Sequence, residues 1–245
     1  MAEQGTGWWH QHGWTVAILL AAFALAMTVR SLFAWPVFAQ NGWLYIYAGG
    51  SDSYYHSRVM QYIIMNHTNL IRDYALRYPT GAINPREPLF DWMNAVLGIL
   101  FQGFFPGATS LDRAQQAGAF FLDLQAPLWA GIGVFPIYLI GKEVGSRRTG
   151  LVAALLYPFI VANIDSSGLG YANYLTFYTA VILFVAYAYL RTVKATTRRR
   201  WVASYRHPRQ ILAGLRGFWT YERTAVKWAV FTGVMFGVLC LAWQG

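Results

Sequence analysis

Several stretches of this chain are apolar over the length of a lipid bilayer, and this feature restricts its fold more than any other. A helix that crosses a bilayer needs about 17 to 25 mostly apolar residues. Residues 14–35, 120–141 and 174–190 reach that length, and the shorter stretches 150–164 and 228–243 contain no charged residue. The sequence therefore predicts an all-α polytopic membrane protein with five transmembrane helices.

The composition supports a membrane protein over a soluble one. Hydrophobic residues make up 56% of the chain and charged residues 12%, about half of the charged share that soluble domains carry. A net charge of +9 would suggest nucleic acid in a soluble chain, but in a membrane protein clustered Lys and Arg report orientation. Membrane lipids are the predicted partner, and no nucleic acid is expected.

The distribution of basic residues predicts which loops are cytoplasmic. Residues 191–227 hold ten Lys and Arg against Glu222 alone, and residues 142–148 hold three against one Glu. By the positive-inside rule both loops are cytoplasmic. Trp and Tyr side chains interleave with the basic residues of 191–227, which favours an interfacial amphipathic helix in contact with anionic lipid head groups.

Residues 88–105 are apolar enough to cross but include Asp91, Asn94 and Gln102. If this segment crossed the membrane, the loops 36–119 and 165–173 would face opposite sides. We predict instead an interfacial helix on the outer face, which leaves both loops external and able to share one site. The first external loop is long for a connection between spans, which suggests a functional role.

That first external loop contains a short polar motif, Asp52-Ser53-Tyr54-Tyr55-His56-Ser57-Arg58. Asp52 offers a hard oxygen ligand for a divalent cation, while His56 and Arg58 are groups able to hold phosphate oxygens. Two structural alternatives remain open at this point. Asp52 is also a plausible helix N-cap, and Arg58 is equally suited to pair with Asp52.

Several motifs together resemble the catalytic subunit of oligosaccharyltransferase. The Asp52 motif is similar to the first acidic motif of that family, and Tyr78-Pro79-Thr80-Gly81 followed by Pro88-Leu89-Phe90-Asp91-Trp92 resembles a later stretch in archaeal members. Ala126-Pro127, the stretch from Pro136 to Glu143, and Gly150-Leu151-Val152-Ala153-Ala154 resemble the next spans of the family and their short turn. Ser167 to Leu175 falls where its second acidic motif belongs.

The resemblance implies a membrane-embedded glycosyltransferase that moves an oligosaccharide from a polyprenyl (pyro)phosphate carrier to asparagine in Asn-x-Ser/Thr of an acceptor protein. It implies a divalent cation, Mn²⁺ or Mg²⁺, a catalytic and metal-binding role for Asp52, and substrate-binding roles for His56 and Arg58. The expected location is the cell membrane, with the active face external.

The second motif departs from the family pattern. Where the family has two metal-binding groups, alignment on Ser167 and Gly170 gives Asn173 and Leu175. Asn173 is one candidate metal ligand, weaker than a carboxylate because an amide carries no charge. Asp165, the remaining carboxylate of this loop, is the other. The departure leaves open a degenerate, non-catalytic relative that has lost its metal.

Two further expectations concern function and completeness. Protein O-mannosyltransferases also place Asp in the first external loop, usually with a second acidic neighbour, whereas Ser51 and Ser53 flank Asp52. The chain resembles only the N-terminal transmembrane part of the family and lacks its soluble domain with a Trp-Trp-Asp-Tyr-Gly motif, so the isolated chain is expected to be inactive.

Two charged residues inside the predicted spans have structural interpretations. Arg30, near the end of the first span, is expected to snorkel to the interface, with contact to a donor phosphate as the alternative. Asp123 is expected to be a helix-start residue at the outer end of the second span.

Overall fold

The computed structural model describes residues 8–32, 34–40, 50–84, 86–160, 164–196 and 201–242, with side chains from residue 12 onward. Its helices are α1 (Trp8–Ser31), α2 (Trp35–Gln40), α3 (Ser51–Asn66), α4 (Pro88–Phe101), α5 (Ser110–Ile132), α6 (Val134–Val144), α7 (Arg147–Leu156), α8 (Leu175–Ala195), α9 (Pro208–Tyr221) and α10 (Arg223–Ala242). Short 3-10 turns cover Gln102–Phe104 and Tyr157–Phe159. The strands β1 (Arg72–Asp73) and β2 (Ala82–Ile83) pair antiparallel, with Arg72 opposite Ile83.

Within the described residues, four helical segments are long and apolar enough to cross a membrane, which marks the chain as an integral membrane protein. They are His12–Ser31, Ser110–Val144, Leu175–Ala195 and Arg223–Ala242. The helical membrane architecture predicted from the sequence is thus confirmed, and three of the four segments lie close to their predicted positions.

The segment predicted at 120–141 is considerably longer than expected. It begins at Ser110 because Thr109 and Asp112 form a capping box, in which each side chain bonds the backbone N–H of the other residue (3.0 Å each). Such reciprocal caps satisfy backbone donors that a helix start leaves unpaired. The helix continues through Gly133 into α6, so Ser110–Val144 covers 35 residues, about 52 Å of helix.

The stretch predicted as a span at 150–164 differs from the other four. Its helix, α7, ends at Leu156 after ten residues, about 15 Å of rise, and a 3-10 turn follows at Tyr157–Phe159. Pro158 explains the break, because proline cannot donate to the preceding helical turn. Residues 161–163 of the predicted span, like Trp243 at the end of 228–243, lie outside the described residues.

The helix predicted at 88–105 is present as α4 and is not among the four long segments. Its polar residues Asp91 and Asn94 are fully buried, so they face the protein. Gly98 permits close packing on α5, because a Cβ at this position would lie 2.6 Å from the carbonyl oxygen of Ala114. The helix therefore packs on the protein through its polar face.

Two apolar clusters hold the helices that carry the candidate site. The larger joins α3, α4, α5 and α8 through Met60, Ile63, Phe90, Leu122 and Phe177, each at most 4% exposed. The smaller joins α1, α6 and α7 through residues that include Ala26, Val134 and Ala154. The first cluster thus packs α3 against the protein together with α8; Asp52 lies in the first turn of α3, and Asn173 lies just before α8.

The basic segment predicted at 191–227 is largely helical. The helix α8 continues to Ala195, α9 covers Pro208–Tyr221, and α10 already begins at Arg223. Along α9 the side chains of Leu212, Leu215 and Trp219 are more than half exposed, and their spacing places them on one stripe. This agrees with the amphipathic helix expected there.

Candidate functional site

Asp52 and Asn173 lie side by side although 121 residues separate them in the chain. Asp52 is in the first turn of α3, and Asn173 precedes α8. The side-chain nitrogen Nδ2 of Asn173 donates to Oδ2 of Asp52 at 3.4 Å. Asp52 is 30% exposed and Asn173 is 8% exposed, so the carboxylate is open to a ligand from one side.

The loop that carries Asn173 is held by backbone hydrogen bonds to two of the long helices. The amide of Leu169 donates to the carbonyl of Arg30 in α1 (3.0 Å), and the amide of Gly170 donates to the carbonyl of Asp123 in α5 (3.1 Å). Gly170 has φ of 83°, a conformation that favours glycine. These contacts direct Asn173 toward the start of α3.

Arg86 completes the group around Asp52, and sequence reasoning missed it. Its guanidinium forms an ion pair with the Asp52 carboxylate, and its central carbon lies 6.0 Å from the centre of the Tyr174 ring. The available signal was its place two residues before the Pro88-Leu89-Phe90-Asp91 stretch, as a basic residue beside a family motif. The pair presents a carboxylate and a guanidinium next to each other, both partly exposed.

His56 lies one helical turn after Asp52 on α3 but is enclosed by protein. Its side chain is 1% exposed, and Nδ1 forms a hydrogen bond with Oδ1 of Asp91 at 2.8 Å. The ring also packs edge-on against Phe90 and Tyr174, with centroid distances of 4.8 and 5.8 Å. Burial raises the pKa of Asp91, and the hydrogen bond with His56 offsets part of this rise. Asp91 is thus the buried hydrogen-bond partner of His56.

Arg58 points to a different acidic residue than the sequence suggested. Its Nε and Nη2 atoms donate to the two carboxylate oxygens of Asp73, at 2.9 and 3.0 Å. The alternative pairing of Arg58 with Asp52 is wrong, because six residues of helix place the two side chains about 120° apart around the helix axis. The hydrogen bonds from Arg58 lower the pKa of the Asp73 carboxyl.

Two charged residues in the long helices also differ from expectation. Asp123 is not a helix-start residue, because its helix begins at Ser110 and the side chain is 2% exposed in the interior. Arg30 does not snorkel outward: it is 3% exposed, and its Nε donates to Oγ of Ser167 at 2.6 Å. Arg30 instead contacts the loop that carries Asn173 through its side chain, and Asp123 contacts it through its backbone carbonyl.

The residues around Asp52 do not fit a divalent cation in this arrangement. The Oδ1 atom of Asn173 accepts from the amide of Leu175 (3.0 Å), so the Asn173 side chain turns its nitrogen toward Asp52. Asp165 is exposed, and among the described residues no hydrogen bond or ion pair joins it to Asp52. Nor do the described residues contain a group of three or more His, Cys, Asp or Glu suited to a metal. Ca²⁺ and Mg²⁺ sites consist of several oxygen ligands, whereas the neighbours of the Asp52 carboxylate are the amide nitrogen of Asn173 and the guanidinium of Arg86.

Comparison with known proteins places these features in context. No family model matches the chain. Dolichyl-phosphooligosaccharide-protein glycotransferase 1 of Archaeoglobus fulgidus is 29% identical over 175 residues, which cover 71% of this chain and 26% of the relative. Dolichyl-monophosphooligosaccharide-protein glycotransferase AglB of Haloferax volcanii is 24% identical over 99% of this chain and 21% of the relative. The chain thus spans about a quarter or less of the length of these relatives.

The fold matches solved structures of the same kind of protein. The archaeal oligosaccharyltransferase AglB from Archaeoglobus fulgidus, in complex with an inhibitory peptide and a dolichol-phosphate, superposes with a TM-score of 0.72 at 20% identity, over 97% of this chain and 24% of that chain. An Archaeoglobus fulgidus oligosaccharyltransferase in complex with Zn and sulfate gives a TM-score of 0.64 at 20% identity, over 92% of this chain and 25% of that one. The resemblance predicted from the motifs is confirmed: in sequence and in fold, this chain is similar over most of its length to part of the archaeal oligosaccharyltransferases.

Proposed function

We propose that the chain serves protein N-glycosylation, as part of an enzyme that transfers an oligosaccharide from a polyprenyl (pyro)phosphate carrier to asparagine in Asn-x-Ser/Thr. The observation that carries this proposal is the group of Asp52, Arg86 and Asn173 at the joined starts of α3 and α8. The similarity to dolichyl-phosphooligosaccharide-protein glycotransferases supports the donor class. The acceptor protein, the lipid-linked donor and the surrounding membrane lipids are its partners, and nucleic acid is not.

The chemistry of the group suits both substrates. The Asp52 carboxylate accepts a hydrogen bond from the carboxamide N–H₂ of the acceptor asparagine and takes up the proton that nitrogen loses. The nitrogen attacks the first carbon of the sugar, the bond from that carbon to the phosphate oxygen breaks, and the configuration inverts. Arg86 binds the departing phosphate oxygens, for which a guanidinium has the matching geometry.

No step of this reaction is assigned to a metal. Sequence resemblance implied Mn²⁺ or Mg²⁺ at Asp52, with Asn173 or Asp165 as further ligands, but the donor set near Asp52 is one carboxylate, one amide and one guanidinium. The electrostatic role that a cation would have near the leaving phosphate belongs to Arg86. Preorganised positive charge of this kind stabilises a transition state because it needs no reorganisation during the reaction.

A second candidate function is that of a non-catalytic relative that keeps the fold. Leu175 stands where the family has a metal-binding group, and Arg86 neutralises the single carboxylate of the site. In that case the chain would act in assembly or lipid binding, and substitutions at Asp52 would leave glycosylation unchanged. The transfer assay therefore discriminates the two functions.

The assay measures transfer of a lipid-linked oligosaccharide to a labelled peptide, with the protein in the longest form that its gene encodes. We expect transfer to a peptide with Asn-x-Thr and none to a matched peptide with Gln-x-Thr, because only asparagine places its carboxamide at the right distance. Equal modification of both peptides, or of neither, would exclude asparagine glycosylation.

We further propose five spans in the cell membrane, with the 150–164 stretch as the fifth and α4 along the external surface. The loops 36–119 and 165–173 are then external, which lets Asp52 and Asn173 share one external site. The loops 142–148 and 191–227 are cytoplasmic, as their basic residues favour.

Cysteine labelling tests this topology, on a background in which the exposed Cys240 is replaced with serine. Cysteines at Tyr54 and at Ala108, which are both exposed, should react with a membrane-impermeant maleimide in intact cells. A cysteine at Tyr205, which is 76% exposed, should react only after permeabilisation. Protection at Ala108 would make α4 a span, and labelling at Tyr205 from outside would overturn the whole arrangement. Position 199, in the same basic loop, lies outside the described residues.

A further inference from the structure

Arg30 is a buried cation that no carboxylate in the described part of the chain neutralises. Its Nη1 atom donates to the carbonyls of Ala26 and Pro158, at 3.2 Å each, in addition to the bond from Nε to Ser167. Its Nη2 atom is buried and has no hydrogen-bond partner. The three bonds hold the guanidinium in place, but none of them supplies an opposite charge.

A buried guanidinium without a counter-charge is costly, because its hydration is lost and no anion compensates it. In a membrane-spanning helix such a residue faces the protein interior or a cavity and marks a ligand site as the first hypothesis. The unused Nη2 donor is therefore the feature of α1 that most needs a partner.

A cavity of about 520 Å³ lies beside Arg30, within the size range of small-molecule sites. Apart from Arg30, its lining is mainly apolar and includes Val29, Val37, Phe38, Ile164 and Leu169. The cavity thus combines one fixed cation with an apolar wall, which suits a ligand with an anionic head and an apolar body.

The depth of Arg30 in the membrane identifies the source of such a ligand. Arg30 lies in the last turn of the His12–Ser31 segment, so it is at the end of the apolar layer, where the polar head groups of lipids begin. We propose that Arg30 and this cavity bind the phosphate head group of a membrane lipid, with the phosphate beside the Arg30 side chain and the apolar part against Val37, Phe38 and Ile164.

Asp165 also lines the cavity and does not prevent this binding. Its side chain is exposed, so water screens its repulsion of an anion, whereas Arg30 is 3% exposed and its attraction is screened much less. The lipid site is separate from the Asp52 group, and its test does not depend on glycan transfer.

The test is a binding titration of the purified chain in detergent, followed by native mass spectrometry. The probes are dihexanoyl phosphatidic acid, dihexanoylglycerol, which lacks the phosphate, and inorganic phosphate, which lacks the apolar body. We expect phosphatidic acid to bind at least tenfold more tightly than either of the other two. Inorganic phosphate that binds as tightly as phosphatidic acid would exclude a lipid as the ligand, and dihexanoylglycerol that binds as tightly would exclude recognition of the phosphate.

Two variants and one control locate the site. Arg30→Met removes the charge at similar length and should weaken phosphatidic acid binding at least tenfold. Gly168→Leu fills the cavity but leaves Arg30 in place, since a Cβ at Gly168 meets only the Arg30 carbonyl oxygen, at 3.8 Å; it should weaken binding equally. Arg191→Met removes an arginine that pairs with Glu143 elsewhere and should leave binding unchanged.

Thermal unfolding establishes that each variant is folded. If Arg30→Met does not fold, Gly168→Leu decides the result, because it keeps every hydrogen bond of Arg30. Wild-type affinity in a folded Arg30→Met or Gly168→Leu variant would overturn the proposed lipid site.

Discussion

Replacing Asp52 with alanine is expected to lower glycan transfer at least about a hundredfold, the loss typical when one preorganised electrostatic group is removed from an active site. The substitution removes the carboxylate that receives the acceptor amide. It also releases Arg86, whose guanidinium the carboxylate holds in place. The measurement is kcat/KM for transfer to an Asn-x-Thr peptide by the protein in its longest encoded form.

Companion variants separate the two roles of Asp52. Asp52→Asn should be nearly as severe, because an amide neither takes up a proton nor pairs with a guanidinium. Arg86→Met should also lower kcat, since the leaving phosphate loses its cation. The control is Asp112→Asn, an exposed carboxylate of the same external loop that only caps α5; it should keep activity within about twofold, as expected of a surface position away from the site. Full activity in Asp52→Ala would remove Asp52 from the mechanism and favour the non-catalytic function.

The membrane segments were predictable because hydropathy over about 20 residues is a property of the local sequence. The limits of this approach are visible at two places. The capping box at Thr109 and Asp112 lengthened one helix by about ten residues on its N-terminal side, and Pro158 ended the regular helix of the 150–164 stretch at Leu156. Both signals were present in the sequence, but the apolar window outweighed them.

The partners within the site were less predictable, because they depend on how distant helices pack. The resemblance to the family assigned Asp52 to the first acidic motif and Asn173 to the second. The two side chains lie 3.4 Å apart. The partners of His56, Arg58 and Asp52 are Asp91, Asp73 and Arg86, which lie between 15 and 35 residues along the chain. Asp91 gave a usable signal, since a carboxylate in an otherwise apolar helix needs a polar partner when it is buried. No comparable local rule connects Arg86 with Asp52.

Asn173 departs from the family pattern because it carries no charge. The site can therefore also be tested by adding a negative charge at position 173, in contrast to the removal of charge at Asp52. In the wild type, Oδ1 of Asn173 accepts from the Leu175 amide, and Nδ2 lies 3.4 Å from Oδ2 of Asp52. In Asn173→Asp one carboxylate oxygen can still accept from that amide, and the other replaces the nitrogen that faces Oδ2 of Asp52. Arg86 pairs with the other oxygen of Asp52, Oδ1, so Oδ2 and the new carboxylate repel each other unless a cation lies between them. A carboxylate is also a better ligand than an amide for a hard cation.

We therefore expect Asn173→Asp to bind Mn²⁺ at least about tenfold more tightly than the wild type, equivalent to about 1.4 kcal/mol, and to transfer glycan at an unchanged or higher rate. Calorimetric titration gives the affinity, and a rise in melting temperature on addition of Mn²⁺ gives an independent measure, because a cation that binds only the folded state stabilises it. Asn66→Asp, which adds a carboxylate at an exposed position at the end of α3, is the matched control and should bind Mn²⁺ as the wild type does. Unchanged or weaker Mn²⁺ binding in Asn173→Asp would mean that Asn173 does not occupy the position of the family's metal ligand, and that the second motif is aligned incorrectly.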